Sequence, residues 1–255
     1  MRELLTRTLS GIALVAFIIV CVLFSFWSLT AMALIIVILG TYEIGRLQHI
    51  DDMLHLFLGE LIVVAFFLTY LFFPGLYPVF IMSSFLLALF SKSYDFKTIA
   101  SFTLGSIVFL GIPCALMARM HQTFGAEMVL LVFALLWTND IFAYLTGKLF
   151  GKHKLFYRIS PGKTIEGSIG GLVFTIIAVT VFAHYADWLA YAAAIGMAVI
   201  AVVFGTLGDL CESMLKRQAG VKDSGKLIPG HGGILDRFDS ILFSVPFIFV
   251  YLHLL

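Results

Sequence analysis

Charge is what this 255-residue chain has least of: 12% of its residues are Asp, Glu, Lys or Arg, against 61% apolar, and its mean hydropathy is +1.06. A water-soluble domain of that composition would have no polar surface to present to solvent, which excludes a soluble globular class. Cysteine is also sparse. Cys21, Cys114 and Cys211 are scattered through apolar segments without CxxC spacing, so neither a disulfide framework nor a zinc site is expected. Long polar interruptions are missing too. None exceeds about 30 residues, and none is Pro/Ser-rich or of low complexity, so a separate soluble domain is not expected.

What is present is a series of apolar stretches of about 20 residues, the length that crosses a bilayer. Nine can be placed, at 9–27, 29–47, 54–73, 76–90, 99–118, 128–146, 169–185, 188–207 and 234–255, the fourth being short. The first is longer than a signal-peptide core and has no clear small-x-small cleavage site, so it is read as a retained anchor. The expected fold is an all-α polytopic membrane protein of about nine transmembrane helices. Orientation follows from the basic residues, which short cytoplasmic loops retain. With the N-terminus cytoplasmic, fifteen of the sixteen Lys and Arg fall on the cytoplasmic side, and Arg119 alone falls outside. Residues 1–127 form an N-terminal set of helices, and 128–255 a C-terminal set carrying the polar loops, within one membrane domain.

The net charge is only +1, yet ten of the sixteen basic residues crowd into two loops of the C-terminal half. That asymmetry points to an anionic ligand. Ahead of the first loop, Trp137, Asp140, Tyr144 and Gly147 recur at helical spacing on one face. An Asp inside a span is costly unless it faces a polar interior; the plainer alternative is a structural pair with a loop Lys. The loop itself contains Ser160-Pro161-Gly162-Lys163-Thr164, in which a stiffened turn, a glycine, a Lys and two hydroxyls precede a helix N-terminus. Anionic headgroups would explain the basic charge as well, but not this arrangement. A Walker A loop is excluded by spacing. Gly167-Ser-Ile-Gly-Gly171 is assigned to close helix packing.

In the second loop Asp209, Glu212, Ser213 and Lys216 form a polar stripe if the eighth helix continues past the interface. Lys222-Asp-Ser-Gly-Lys226 follows, then a Gly-rich turn, 228–233, that includes His231, Gly232 and Gly233. Asp236 and Asp239, three residues apart, open the last span on one face. Alone they could be helix-dipole or capping acids. With Asp209 and the Gly-rich turn they look like an oxygen-ligand site of the kind Mg²⁺ uses beside substrate phosphates. His231 is an acid, a phosphate donor or a turn residue; its type does not decide which. Glu43 and Glu60 are the acidic residues of the N-terminal spans, for which a helix-end or cavity pairing is the expected explanation.

Ser213-Met-Leu-Lys-Arg217, then Lys222-Asp-Ser-Gly225 after four residues, then Pro229 through Asp239 resemble the signature of the phosphatidate cytidylyltransferase, or CDP-diacylglycerol synthase, family. Trp137-x-x-Asp140-x-x-x-Tyr144 and the 160–167 segment are similar to it as well, so the resemblance covers roughly residues 137–240. It implies a Mg²⁺-dependent reaction, with a second cation left open. A phosphatidate oxygen would attack the α-phosphorus of CTP, and pyrophosphate would leave.

On that resemblance Asp209 and Asp236 would hold the metal with Asp239 and Asp140 supporting. Ser213, Lys216, Arg217, Lys222, Lys226 and Arg237 would bind phosphates. Ser160, Lys163, Gly232 and Gly233 complete the substrate-binding set, and His231 joins Lys216 and Lys222 as a candidate catalytic group. The partners implied are CTP, phosphatidate and membrane lipids, with no nucleic acid and a homodimer left open. The implied location is a bacterial cytoplasmic membrane, with the site facing the cytoplasm. A CTP-dependent polyprenol or phytol kinase is disfavoured by the completeness of the 213–239 signature. A CDP-alcohol phosphotransferase is excluded because its Asp-Gly-x-x-Ala-Arg motif is absent. A transporter would place polar groups near the midplane in both halves, whereas here they crowd into one.

Overall fold

The computed structural model describes residues 2–73, 75–186, 188–228, 230 and 232–255, with side chains from Thr8 onward. Each of the nine apolar stretches is helical: α1 (Arg2–Phe24), α2 (Phe26–Leu47), α3 (Met53–Phe72), α4 (Tyr77–Phe90), α5 (Phe96–Ser106) running on into α6 (Ile112–Phe124), α7 (Ala126–Phe150), α8 (Ile165–Tyr185), α9 (Tyr191–Gln218) and α10 (Leu235–Leu254). The chain is an all-α, multi-pass integral membrane protein.

Among the described residues seven of these helices, counting α5–α6 as one, are long and apolar enough to cross a membrane. α1 is 23 residues long, with side chains described from Thr8, and α4 has 14 residues. At 1.5 Å per residue that is roughly 21 Å against a hydrocarbon core of about 30 Å. Large apolar side chains such as Phe24, Leu89, Phe90 and Val181 stand exposed along the helices, as lipid-facing positions must.

Local chemistry sets the breaks. Ser25 caps α2 reciprocally with Ser28, and Asp52 and Asp95 cap α3 and α5 through Leu54 N–H and Thr98 N–H. The hydrogen bond from His55 to Asp52 holds that carboxyl below its usual range. The turn at Ile107–Gly111 is a π-helix in which Ile112 N–H bonds Ile107 O. Pro113 follows directly, and its missing N–H removes one rung of the regular ladder.

The chain forms two compact units, Met1–Ala126 with Gln218–Phe238, and Glu127–Arg217 with Asp239–Leu255. In the first, α2 turns Leu29, Met32, Ala33, Ile36 and Val37 inward, and Phe102 is wholly buried beside Gly45 and Gly59. Arg119, the one basic residue that the charge pattern leaves on the far side, has a local partner. Its guanidinium donates to Tyr70 O (2.9 Å) and Leu71 O (3.3 Å) at the end of α3 and lies 5.7 Å from the Tyr70 ring. It caps a helix C-terminus. Arg119→Met is therefore expected to lower the free energy of unfolding in detergent by about 1 kcal/mol, read from the denaturation midpoint.

In the second unit α7 and α8 approach over glycine. A Cβ on Gly167 would lie 2.7 Å from Ala143 O and 3.2 Å from Gly147 Cα, and Phe142 stacks on Phe174 at 4.3 Å. The packing role expected of the 167–171 glycines is the one they perform. On the other side of the unit, Phe204 of α9 stacks on Phe247 of α10 at 3.6 Å. A Cβ on Gly208 would lie 2.5 Å from Phe243 Cβ and 2.7 Å from Asp239 O. Both obstacles are anchored to backbone. Gly208→Ala is expected to push α9 from α10 beside Asp209 and Asp239, at a cost of about 1–3 kcal/mol, detected as a lowered unfolding midpoint.

Candidate active site

The loop between α7 and α8 is more ordered than its sequence suggested. Lys154–Phe156 (β1) and Ser160–Thr164 (β2) pair antiparallel, with Lys154 opposite Thr164 and Phe156 opposite Ser160. Two side chains tie this hairpin to α8. The Thr164 hydroxyl accepts Gly167 N–H (3.1 Å) as the N-cap. Glu166 accepts Lys152 N–H, His153 N–H and His153 Nδ1–H, the last at 2.6 Å. Arg217, near the end of α9, donates to Ile159 O at 3.4 Å.

Between the hairpin and helices α7, α8 and α9 lies a cavity of about 460 Å³ whose polar wall includes Asp140, Ser160, Lys163 and Asp209. Asp140, Tyr144 and Gly147 reach it from one face of α7, as their spacing predicts. Trp137 does not line it and instead packs on Phe133 at 5.5 Å. Lys163 Nζ lies 2.5 Å from Asp209 Oδ2, and Ser213 donates to the other oxygen at 3.1 Å. Asp239, buried on α10, accepts Ser240 N–H at 2.6 Å and feels the charges of Asp209, Lys163 and Asp140. Three carboxylates thus share a neighbourhood with one ammonium.

The stripe on α9 exists, since that helix does continue to Gln218, but it divides in two. Asp209 lines the cavity, and Ser213 bonds to it. Lys216 instead neutralises the fully buried Glu212 one turn away at 2.6 Å. Among the described residues no three His, Cys, Asp or Glu are disposed to enclose a metal ion. Such an enclosure is not what Mg²⁺ needs, because it is commonly held by one or two carboxylates together with substrate phosphates and water.

Sequence reasoning missed Asn139, Ser168 and Thr206 on the cavity wall. Asn139 is 5% exposed, and its Oδ1 has no hydrogen-bond partner among the described residues. Adjacency to Asp140 on a polar turn of an apolar helix was the available signal.

The first unit holds the remaining signature residues. Lys222, Lys226 and Arg237 are exposed on and beside the Gly-rich turn. His231 lies outside the described residues. The turn closes through Ile228 N–H to Gly232 O at 2.9 Å, and Gly230 and Gly232 have φ of 75° and 84°, the left-handed region that favours glycine. Asp236 Oδ2 accepts Gly233 N–H (2.8 Å), Ser224 N–H (2.9 Å) and Ser224 Oγ–H (3.0 Å). Asp236 thus organises the turn with one of its oxygens, a role the sequence offered only as the capping alternative. Gly233 is buried where a side chain would strike Ser224 and Glu43.

A multi-pass membrane protein with a carboxylate-rich, lysine-bearing cavity among its helices is the class that this fold and site define. The chain belongs to the Cytidylyltransferase family, whose model matches residues 5–255. Among curated proteins it is similar to the phosphatidate cytidylyltransferase of Staphylococcus aureus strain COL, 45% identical over 152 residues. Those of Staphylococcus saprophyticus (45% over 148 residues) and Staphylococcus epidermidis (43% over 152) are similarly related. Each match covers 58% of this chain and 56% of the relative, so the chain spans little more than half the length of the curated relatives it matches.

Proposed function

We propose that the protein transfers a cytidylyl group from CTP to phosphatidate, forming CDP-diacylglycerol and pyrophosphate. The observation that carries this reading is the convergence of Asp209, Asp140, Asp239 and Lys163 in the second unit, on a chain whose family transfers cytidylyl groups. A lipid phosphate and a nucleoside triphosphate are both polyanions. Joining them needs positioning and charge neutralisation more than a covalent nucleophile.

The donor set suits a hard divalent cation, since Asp209 and Asp239, supported by Asp140, offer only oxygen. Mg²⁺ bound there would neutralise phosphate charge and polarise the α-phosphate. Lys163, now on an Asp209 oxygen, stands ready to serve a phosphate once that carboxylate has another cation. Ser160 and Ser213 supply hydroxyl donors. Lys222, Lys226 and Arg237 supply exposed cations for phosphates, and Gly232 and Gly233 shape the turn between them. Asp236 contributes a carboxylate from the turn, and Lys216 and Arg217 act by holding α9 and the hairpin. The attacking phosphatidate oxygen is already ionised at neutral pH, so no general base is required.

The same reading places the N-terminus and both basic loops on the cytoplasmic side of a bacterial inner membrane, following the distribution of Lys and Arg. Residues 128–255 then carry most of the chemistry, and homodimerisation and a second cation are compatible with it. The test is turnover of CTP labelled at the α-phosphate by the detergent-solubilised protein with phosphatidate and Mg²⁺. Label is expected in CDP-diacylglycerol, with stoichiometric pyrophosphate. If a γ-phosphate label passes to a lipid alcohol instead, the protein is a kinase and the proposal fails.

A further inference from the structure

Glu43 lies in the apolar α2, four residues before its end at Leu47 and far in sequence from the segment that carries the family resemblance, and is 6% exposed. A carboxylate at such a position costs free energy unless it is satisfied, and a purely packing role would be met more cheaply by an apolar side chain. Its partners are three donors from the signature segment. Oε1 accepts Ile234 N–H at 2.9 Å, and Oε2 accepts Leu235 N–H at 3.0 Å and the Ser224 hydroxyl at 2.7 Å. Two of these are free N–H groups at the start of α10, where a negative charge is favoured.

The turn is moulded to this carboxylate. A Cβ on Gly225 would lie 2.5 Å from Glu43 Oε1, and one on Gly233 would collide with both oxygens. Ser224 then connects Glu43 to Asp236. Its hydroxyl lies between Glu43 Oε2 and Asp236 Oδ2, and its N–H donates to Asp236. A hydroxyl has one hydrogen to give two carboxylates. Its orientation, and with it that of Asp236, is therefore set by both acids together.

We infer that Glu43 is a positioning residue for cytidylyl transfer: through Ser224 and the N-terminus of α10 it fixes the Gly-rich turn and the direction of Asp236. The inference rests on the function proposed above. It gives the N-terminal spans a part in the reaction that the sequence did not assign them. Residues that orient a reacting shell by hydrogen bonds typically cost 10- to 100-fold in activity when replaced.

The test uses the full chain in detergent, as wild type, Glu43→Gln, Glu43→Asp and Ser224→Ala, with two readouts. Amide hydrogen exchange reports residues 224–235 directly. Steady-state kinetics separates kcat from KM for CTP. Glu43→Gln presents an amide N–H₂ to backbone donors, so exchange at Ile234 and Leu235 is expected to accelerate and kcat to fall about 10- to 100-fold, with KM for CTP little changed. Glu43→Asp keeps the charge and should recover part of kcat. Ser224→Ala leaves both acids and the α10 bonds in place and should lower kcat with slower exchange than Glu43→Gln, which keeps the inference testable if the Gln variant does not fold.

Faster exchange with wild-type kcat would reduce Glu43 to a structural cap and overturn the inference, as would unchanged exchange in Glu43→Gln. If the variants show the expected exchange differences but the wild-type protein makes no CDP-diacylglycerol, the proposed reaction is overturned, and the positioning role with it.

Discussion

Asp209→Asn is expected to lower incorporation of labelled CTP into lipid by about 10²- to 10³-fold, with the protein still folded and extracted as wild type. The substitution preserves shape and an acceptor for Ser213, so the helix and its hydrogen bond survive. What it removes is the charge that faces Lys163 at 2.5 Å and adds to the field on Asp239. If Asp209 only paired with Lys163 structurally, removing both charges in Asp209→Asn with Lys163→Gln would restore turnover. If Asp209 serves the substrates, the double variant stays inactive. Size-exclusion elution and the unfolding midpoint check that the loss is chemical. Near-wild-type turnover by the single variant would remove Asp209 from the site.

Much of the fold was legible because a bilayer imposes a length and a polarity on each span, and hydropathy reports both directly. The short α4 was readable in the same way, and the 167–171 glycines were readable as packing residues from their small size, though not which helix they pack on. The hairpin at 154–164 was not. Ser160-Pro-Gly-Lys-Thr164 has the composition of a turn, and its strand pairing is a small local structure tied down by Thr164 and Glu166 rather than by alternating apolar residues. The helical stripe of α9 was legible by spacing, but spacing does not tell which members face a cavity. Glu212 and Lys216 form an ion pair in the protein interior, while Asp209 turns to the cavity with Ser213 bonded to it. Glu43 was visible only as an acid in an apolar helix. Its partners lie more than 180 residues away, and no local pattern encodes that pairing.

Two substitutions of Asp236 separate its part in the turn from the part in the reaction proposed for it. Asp236→Ala removes the acceptor for Gly233 N–H, Ser224 N–H and the Ser224 hydroxyl. Leaving such donors unsatisfied costs about 1–3 kcal/mol. Loss of activity in that variant therefore could arise from a loosened turn alone. Asp236→Asn keeps a carbonyl oxygen for the same donors and removes only the charge. Its Gly-rich turn is expected to show near-wild-type hydrogen exchange, while turnover falls about 10²- to 10³-fold. On the proposed Mg²⁺ dependence, the concentration required should also rise, because a carboxamide is a poorer ligand for a hard cation than a carboxylate. An Asp236→Asn protein with a tight turn, normal turnover and an unchanged Mg²⁺ requirement would make Asp236 a capping acid only. The reaction would then depend on Asp209, Asp239 and Asp140 for its negative charge.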